Sequence, residues 1–182
     1  MKSALKLLSM VCLVILFSGM VIGCAQHQSQ LKTVSSVELP RYLGKWYEIA
    51  RLPNRFQNHC IGEVTADYKQ LEGGDIQVIN RCRDRQGEMD EAKGVARTVD
   101  SSTNAKLEVS FVSLLGWRLF WGDYWILGLG SDYDYAVVGM PSRKYLWVLS
   151  RQPEITTEKW LVIEKIVQAG GYDPGRLIRT DQ

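Results

Sequence analysis

From residue 46 onward, apolar and polar residues alternate in short runs, broken at close intervals by glycine, aspartate, asparagine, serine and proline. A period of two marks a strand with one buried face. It predicts strands over 46–51, 63–70, 75–82, 90–99, 105–112, 123–130, 134–140 and 145–151. The segments LEGG, RDRQG, DSSTN, SDY and PSRK between them carry the residues that tight turns demand. Short antiparallel strands joined as hairpins form a meander, and closing the meander into a barrel leaves no unpaired edge. The period changes once. Behind Thr156 or Thr157, either of which can cap, Trp160, Ile163 and Val167 recur at helical spacing until Gly170 and Gly171. The fold class expected is all-β: an eight-stranded antiparallel up-and-down barrel, one C-terminal helix packed on its outside, and a last short strand over 175–180.

The same alternation assigns faces. Leu107, Val109 and Phe111 share one side, Tyr145, Trp147, Leu149 and Arg151 another, and Trp46, Glu48 and Ala50 a third. Polar groups and aromatics on faces that point inward describe a lined interior, which in a barrel of this size is wide enough for one small ligand.

The pattern before residue 46 is different. Lys2 and Lys6 precede an apolar run from Leu7 to Ile22, and Gly23 stands before Cys24. That is the layout of a secretory signal, residues 1–23. Its end, VIGC, resembles the lipobox of bacterial lipoproteins, which implies a lipidated Cys24 as the first mature residue. Ala25, where an aspartate would favour the inner membrane, implies outer-membrane anchoring. Residues 24–38 then read as the lipidated cysteine and a polar, flexible tether, and 39–182 as the folded domain.

Charge and cysteines narrow the function. Loss of Lys2 and Lys6 leaves 20 of the 22 basic residues against 20 acidic ones, so no basic face for nucleic acid is implied. With Cys12 in the signal and Cys24 on lipid, Cys60 and Cys82 remain. In an exported chain two cysteines read as a disulfide, with two free buried thiols as the alternative. The two histidines, His27 and His59, belong to no HExxH or CxxC pattern, so no metal and no cofactor is called for.

Three stretches resemble the signatures of the lipocalins. YLGKWYEIARLP carries a Gly-x-Trp at Gly44 and Trp46, SDYDYAVV matches the second motif at Asp132 and Tyr133, and LSRQP places the third motif's arginine at Arg151. The resemblance covers roughly residues 38–180 and looks closest to outer-membrane bacterial lipocalins, with animal apolipoprotein D as a relative. It implies that Trp46 stoppers the barrel and that Arg151 stacks on it, a cation–π contact of about 0.5–2 kcal/mol. It also implies that a Cys60–Cys82 bridge ties a mouth loop to the wall. The expected lining is Glu48, Tyr68, Val78, Asn80, Leu107, Val109, Phe111, Tyr124, Ile126, Trp147 and Leu149. Leu114, Leu115, Trp117, Leu119, Phe120 and Trp121 fall at the mouth with Arg118 as their one charge. They either fold inward as a lid, extend the fifth and sixth strands, or touch a membrane, a partner subunit or the tail of a lipid.

The function implied is a membrane-anchored lipid carrier or store for fatty acids or lysophospholipids, acting in envelope maintenance under stress, with a homodimer as an option. Two alternatives stand beside it. A cavity enzyme of the isomerase type would use an acid or a thiol, and a haem or bilin carrier would need a proximal ligand or a charged pocket.

Overall fold

The computed structural model describes residues 30–115 and 117–182. The signal over 1–23, Cys24 and the first residues of the expected tether lie outside the described residues.

A short helix α1 (Leu39–Tyr42) leads into β1 (Gly44–Arg51). The chain then forms β2 (Cys60–Gln70), β3 (Ile76–Asp84), β4 (Met89–Thr98), β5 (Lys106–Ser110), β6 (Val112–Leu114), β7 (Trp117–Leu119), β8 (Gly122–Leu129), β9 (Tyr135–Gly139) and β10 (Leu146–Ser150). Helix α2 (Thr157–Ala169) and a two-residue strand β11 (Ile178–Arg179) complete it. Neighbouring strands run β10-β9-β8-β5-β4-β3-β2-β1, and β1 also pairs with β10. The result is a closed eight-stranded antiparallel barrel with one long helix outside. Thr156 caps that helix by accepting a hydrogen bond from the Lys159 amide.

Closure makes two apolar layers from one alternating pattern. Trp46, Tyr68, Ile76, Val78, Leu107, Ile126, Val138 and Leu149 fill the inside. Ile49, Ala50, Val137, Leu146 and Val148 face outward and form a second core with Leu31, Tyr172 and, from α2, Ile163 and Val167. The odd and even residues of β9 and β10 therefore serve different cores, which is why these strands read as almost continuous apolar runs.

One face assignment is corrected. Trp46, Glu48 and Ala50 do not share a side, because β1 carries a bulge: Glu48 pairs with Leu149 and Ala50 with the very next residue, Val148. The extra residue, Ile49, turns Ala50 outward and sets Arg51 opposite Trp147. Beyond the bulge β1 parts from β2, since their pairing ends at Tyr47 and Thr65. The C-terminal tail fills the seam: Thr180 N donates to Ile49 O, Glu63 N donates to Asp181 O, and the Gln182 amide reaches Glu48 O and Val64 O.

The sequence pattern missed α1, a single turn that follows Glu38 and carries Pro40 in its first turn. The described part of the expected tether, residues 30–38, is packed on the domain. Leu31 is buried with the outer core and Val37 with the inner one. The Val34 and Val37 amides donate to Ile126 O and Thr103 O, so this segment covers the edge of β8 below its pairing with β5.

Candidate functional site: the barrel interior and its mouth

Antiparallel order sorts the connections into two ends. The connections 71–75, 99–105 and 130–134 share one end with α1; 52–59, 85–88, 111–121 and 140–145 share the other.

The α1 end is sealed by a clasp. Trp46 is fully buried and donates through Nε1 to Tyr42 O at 2.8 Å. Arg151 lies with its guanidinium carbon 3.7 Å from the centre of the Trp46 ring. Its nitrogens donate to the carbonyls of Lys45 (2.7 Å), Arg41 (2.7 Å), Leu43 (2.9 Å), Tyr42 (3.2 Å) and Tyr133 (3.3 Å). Several are the carbonyls that a one-turn helix leaves without partners, and a cation is the favoured group there. Gly44 must adopt φ +88° to leave α1 toward the sheet, a conformation costly for any residue with a Cβ. Tyr133 is buried and its hydroxyl accepts from the Glu38 amide at 2.8 Å, whereas Asp132 is exposed in the β8–β9 turn.

Above the stopper, three phenols meet. Tyr124 Oη lies 2.7 Å from Tyr42 Oη and 2.9 Å from Tyr68 Oη. Burial pushes Tyr68 up to about 12, and burial drives Tyr42 and Tyr124 well above the ordinary phenol range. All three are therefore neutral hydrogen-bonding groups at physiological pH.

Higher still, the inner wall is built of small residues. Ala66, Asn80 and Ala92 stand side by side on β2, β3 and β4, and Gly94 stands opposite Val78. A Cβ on Gly94 would lie 2.8 Å from the Phe111 ring. Ala92 and Phe111 face inward yet are exposed, and Asn80, Val109 and Trp147 are only half-buried. The inner face is therefore open to solvent in the mouth half of the barrel and sealed below it.

The expected lining residues divide by height. Tyr68, Val78, Leu107, Ile126 and Leu149 are buried in the inner core, with Val109, Tyr124 and Trp147 packed against it. Asn80 and Phe111 lie nearer the opening. Glu48 is placed differently. Its carboxylate accepts from Arg51 (3.1 Å), Thr180 (2.7 Å) and Gln57 (2.6 Å), and Gln57 in turn accepts from Trp147 Nε1 at 2.9 Å. Glu48 is thus a buried anion fully engaged by its neighbours, and it fastens the 52–59 loop and the tail to the wall. Tyr42, Ala92 and Gly94 were not among the expected lining. Alternation through DEAKGVARTV could have found the last two, while Tyr42 precedes the first strand and carries no periodic signal.

At the mouth, Cys60 and Cys82 form a disulfide with Cα atoms 5.6 Å apart, joining the start of β2 to the end of β3. Segment 111–121 is not a lid. It is a hairpin, β6–β7, that carries β5 and β8 past the rim. Leu114, Leu115, Trp117 and Phe120 are 61%, 92%, 76% and 82% exposed. Leu115 and Phe120 also hold left-handed backbones, φ 49° and 57°, an uncommon conformation for residues with a Cβ. Leu119 is half-buried, and Trp121 lies under the Arg97 guanidinium at 4.0 Å.

Comparison with known proteins agrees with this architecture. A family model described as a lipocalin-like domain matches residues 37–182. The outer membrane lipoprotein Blc of Vibrio cholerae is 39% identical over 173 residues, which cover 92% of this chain and 96% of that protein. Mouse apolipoprotein D is 33% identical over 80% of this chain and 77% of its own length. Among solved structures, insecticyanin of the tobacco hornworm Manduca sexta superposes with a TM-score of 0.69 at 21% identity, covering 86% of each chain, a likeness of fold alone.

Proposed function

This chain belongs to the lipocalin family, and from that premise we propose that it is an outer-membrane lipoprotein, anchored through Cys24, that carries fatty acids or lysophospholipids in its barrel for maintenance of the envelope under stress. One observation carries the reading: an inner face that stays open to solvent at the mouth, above a floor sealed by Trp46 and three neutral phenols. An acyl chain lowered into such a space gains about 0.8 kcal/mol per buried CH₂. Fourteen such groups, the methylene count of palmitate, gain about 11 kcal/mol, which leaves binding on the order of ten micromolar after an association cost of about 4 kcal/mol. The phenols and Asn80 supply hydrogen-bonding groups inside the same space. Relatives named outer membrane lipoprotein support the location. The exposed apolar hairpin supports contact with the bilayer while lipid enters or leaves, because its burial in the interface would remove Leu115, Trp117 and Phe120 from water together. A cavity enzyme is the weaker reading: both candidate thiols are joined to each other and the buried carboxylate of Glu48 already holds three donors.

Native mass spectrometry of the domain lacking its anchor, with displacement of a fluorescent fatty acid by palmitate and by a lysophospholipid, tests this. The expected result is one lipid per chain and displacement in the micromolar range. A domain that retains no lipid and takes up neither probe refutes the carrier reading.

A further inference from the structure

Beside the mouth, three donor atoms of metal-binding type gather at the bridge, and a carboxylate stands behind one of them. His59 Nε2 lies 3.7 Å from Cys60 Sγ and 3.9 Å from Cys82 Sγ. It is also 2.8 Å from Asp90 Oδ2. The two sulfurs and the imidazole nitrogen lie within 4.8 Å of one another. In the oxidised chain the sulfurs are spent on each other. We propose that reduction of this disulfide turns His59, Cys60, Cys82 and Asp90 into a tetrahedral site for zinc or a similar thiophilic divalent cation, so that the fastening at the mouth exists in two chemical forms.

Geometry carries the argument. With zinc–sulfur bonds of about 2.3 Å and zinc–nitrogen or zinc–oxygen bonds of about 2.0–2.1 Å, a tetrahedron has sulfur–nitrogen edges of about 3.6 Å, a sulfur–sulfur edge of about 3.8 Å and a nitrogen–oxygen edge of about 3.3 Å. The two sulfur–nitrogen separations already have nearly that length. The sulfurs must separate, which rotation about χ1 of either cysteine accomplishes once the bond is gone. Asp90 stands outside the group that lies within 4.8 Å, so besides withdrawing from His59 by about half an ångström its exposed side chain must swing toward the sulfurs to reach sulfur–oxygen edges of about 3.6 Å. The His59 and Asp90 side chains are about half exposed, 48% and 52%, so cation and reductant reach them from solvent, while Cys82 is buried and keeps one ligand sheltered.

The chemistry balances with a dithiol as the reductant. Two electrons and two protons pass from the dithiol to the bridge, the dithiol closes to its own disulfide, and Cys60 and Cys82 become thiols. The cation then displaces both thiol protons and is held by two thiolates, one carboxylate and a neutral imidazole, so affinity falls as pH falls. Either form joins the segment that follows the 52–59 loop to the β3–β4 end of the wall, so a reducing environment that supplies zinc does not release the mouth.

The chain without its signal and with Cys24→Ser, so that Cys60 and Cys82 are its only cysteines, is reduced with a dithiol, exchanged without oxygen into thiol-free buffer, and titrated with zinc against a chromogenic chelator and separately with cobalt. The expected result is one cation per reduced chain, the near-ultraviolet thiolate band and intense visible bands of tetrahedral cobalt, and no uptake by the oxidised chain. His59→Ala and Asp90→Asn each weaken binding at least about tenfold, since loss of supporting residues alone costs 10–100-fold. Should reduction loosen the fold, zinc restores the near-ultraviolet circular dichroism of the native chain. Failure of the reduced chain to take up metal, failure of zinc to restore that signal, or uptake unchanged in His59→Ala and Asp90→Asn overturns the proposal.

Discussion

Replacing Arg151 by alanine removes the clasp at the closed end while leaving the lumen untouched. The guanidinium donates to five carbonyls, of which those of Lys45 and Arg41 belong to exposed pairs that water replaces at little cost. The part-buried bonds to Leu43, Tyr42 and Tyr133 are different, and the one to Leu43, at 2.9 Å, is the shortest of the three. Charged hydrogen bonds contribute about 1.5–3 kcal/mol each when well formed. Crediting the Leu43 bond with about 1.5 kcal/mol, the two longer ones with a few tenths each, and stacking on Trp46 with about 1 kcal/mol gives a loss of about 3 kcal/mol. For a domain of this size that lowers Tm by about 6–12 °C. Arg151→Lys keeps the charge but cannot reach several carbonyls while lying flat on an indole, so it recovers about a third of the loss. Thermal unfolding followed by near-ultraviolet circular dichroism measures both variants. A double-mutant cycle with Trp46→Phe isolates the stacking at about 0.5–2 kcal/mol. A loss below about 1 kcal/mol for alanine, or full rescue by lysine, refutes the clasp and leaves only a dispensable surface charge.

Ala92→Trp places an indole in the open half of the barrel, so fluorescent fatty acid displacement should weaken at least about tenfold with stability changed by less than about 1 kcal/mol; unchanged affinity would put the ligand elsewhere. Changing Leu115, Trp117 and Phe120 together to serine should abolish sedimentation of the anchorless domain with anionic vesicles while shifting urea stability by about 0.5 kcal/mol or less. In metal-free buffer, Cys60→Ser should cost about 3 kcal/mol in a urea titration, the loop-closure entropy of a 22-residue separation. The phenols make an alkaline prediction. Tyr68 is raised to about 12 and Tyr42 and Tyr124 well beyond the ordinary value of 10, so between these limits the unfolded chain has released protons that the folded chain keeps. Their contribution is complete below pH 10 and is lost as pH rises toward 12 and above. Phenolate absorbance should therefore show these three rising last, together with unfolding, and Tyr68→Phe should reduce the slope of stability against pH in that window.

Strand number, strand order in sequence, the helix and the apolar mouth segment were legible along the chain because each is a local property. Alternation of period two marks a strand wherever it stands, turn residues mark its ends, and a change to helical spacing marks α2. Gly44, Trp46 and Arg151 were legible through motif. What alternation cannot carry is which of two faces turns inward. Leu107 and Val148 read alike in sequence, yet closure sends one to the inner core and the other to the outer core. The bulge at Ile49 decided that Ala50 faces outward and Arg51 lies across from Trp147, and no local signal announces an extra residue that stands where β1 parts from β2. Glu48 shows the same limit. Its three partners come from residues 51, 57 and 180, so only chain closure could turn a candidate ligand group into a buried structural anion. The sequence by itself determined the elements and the chemical character of each face, since both arise from neighbours along the chain. Tertiary structure alone decided where the inner face opens to solvent and which donors converge, because volume and distance are set by strands that meet across the barrel.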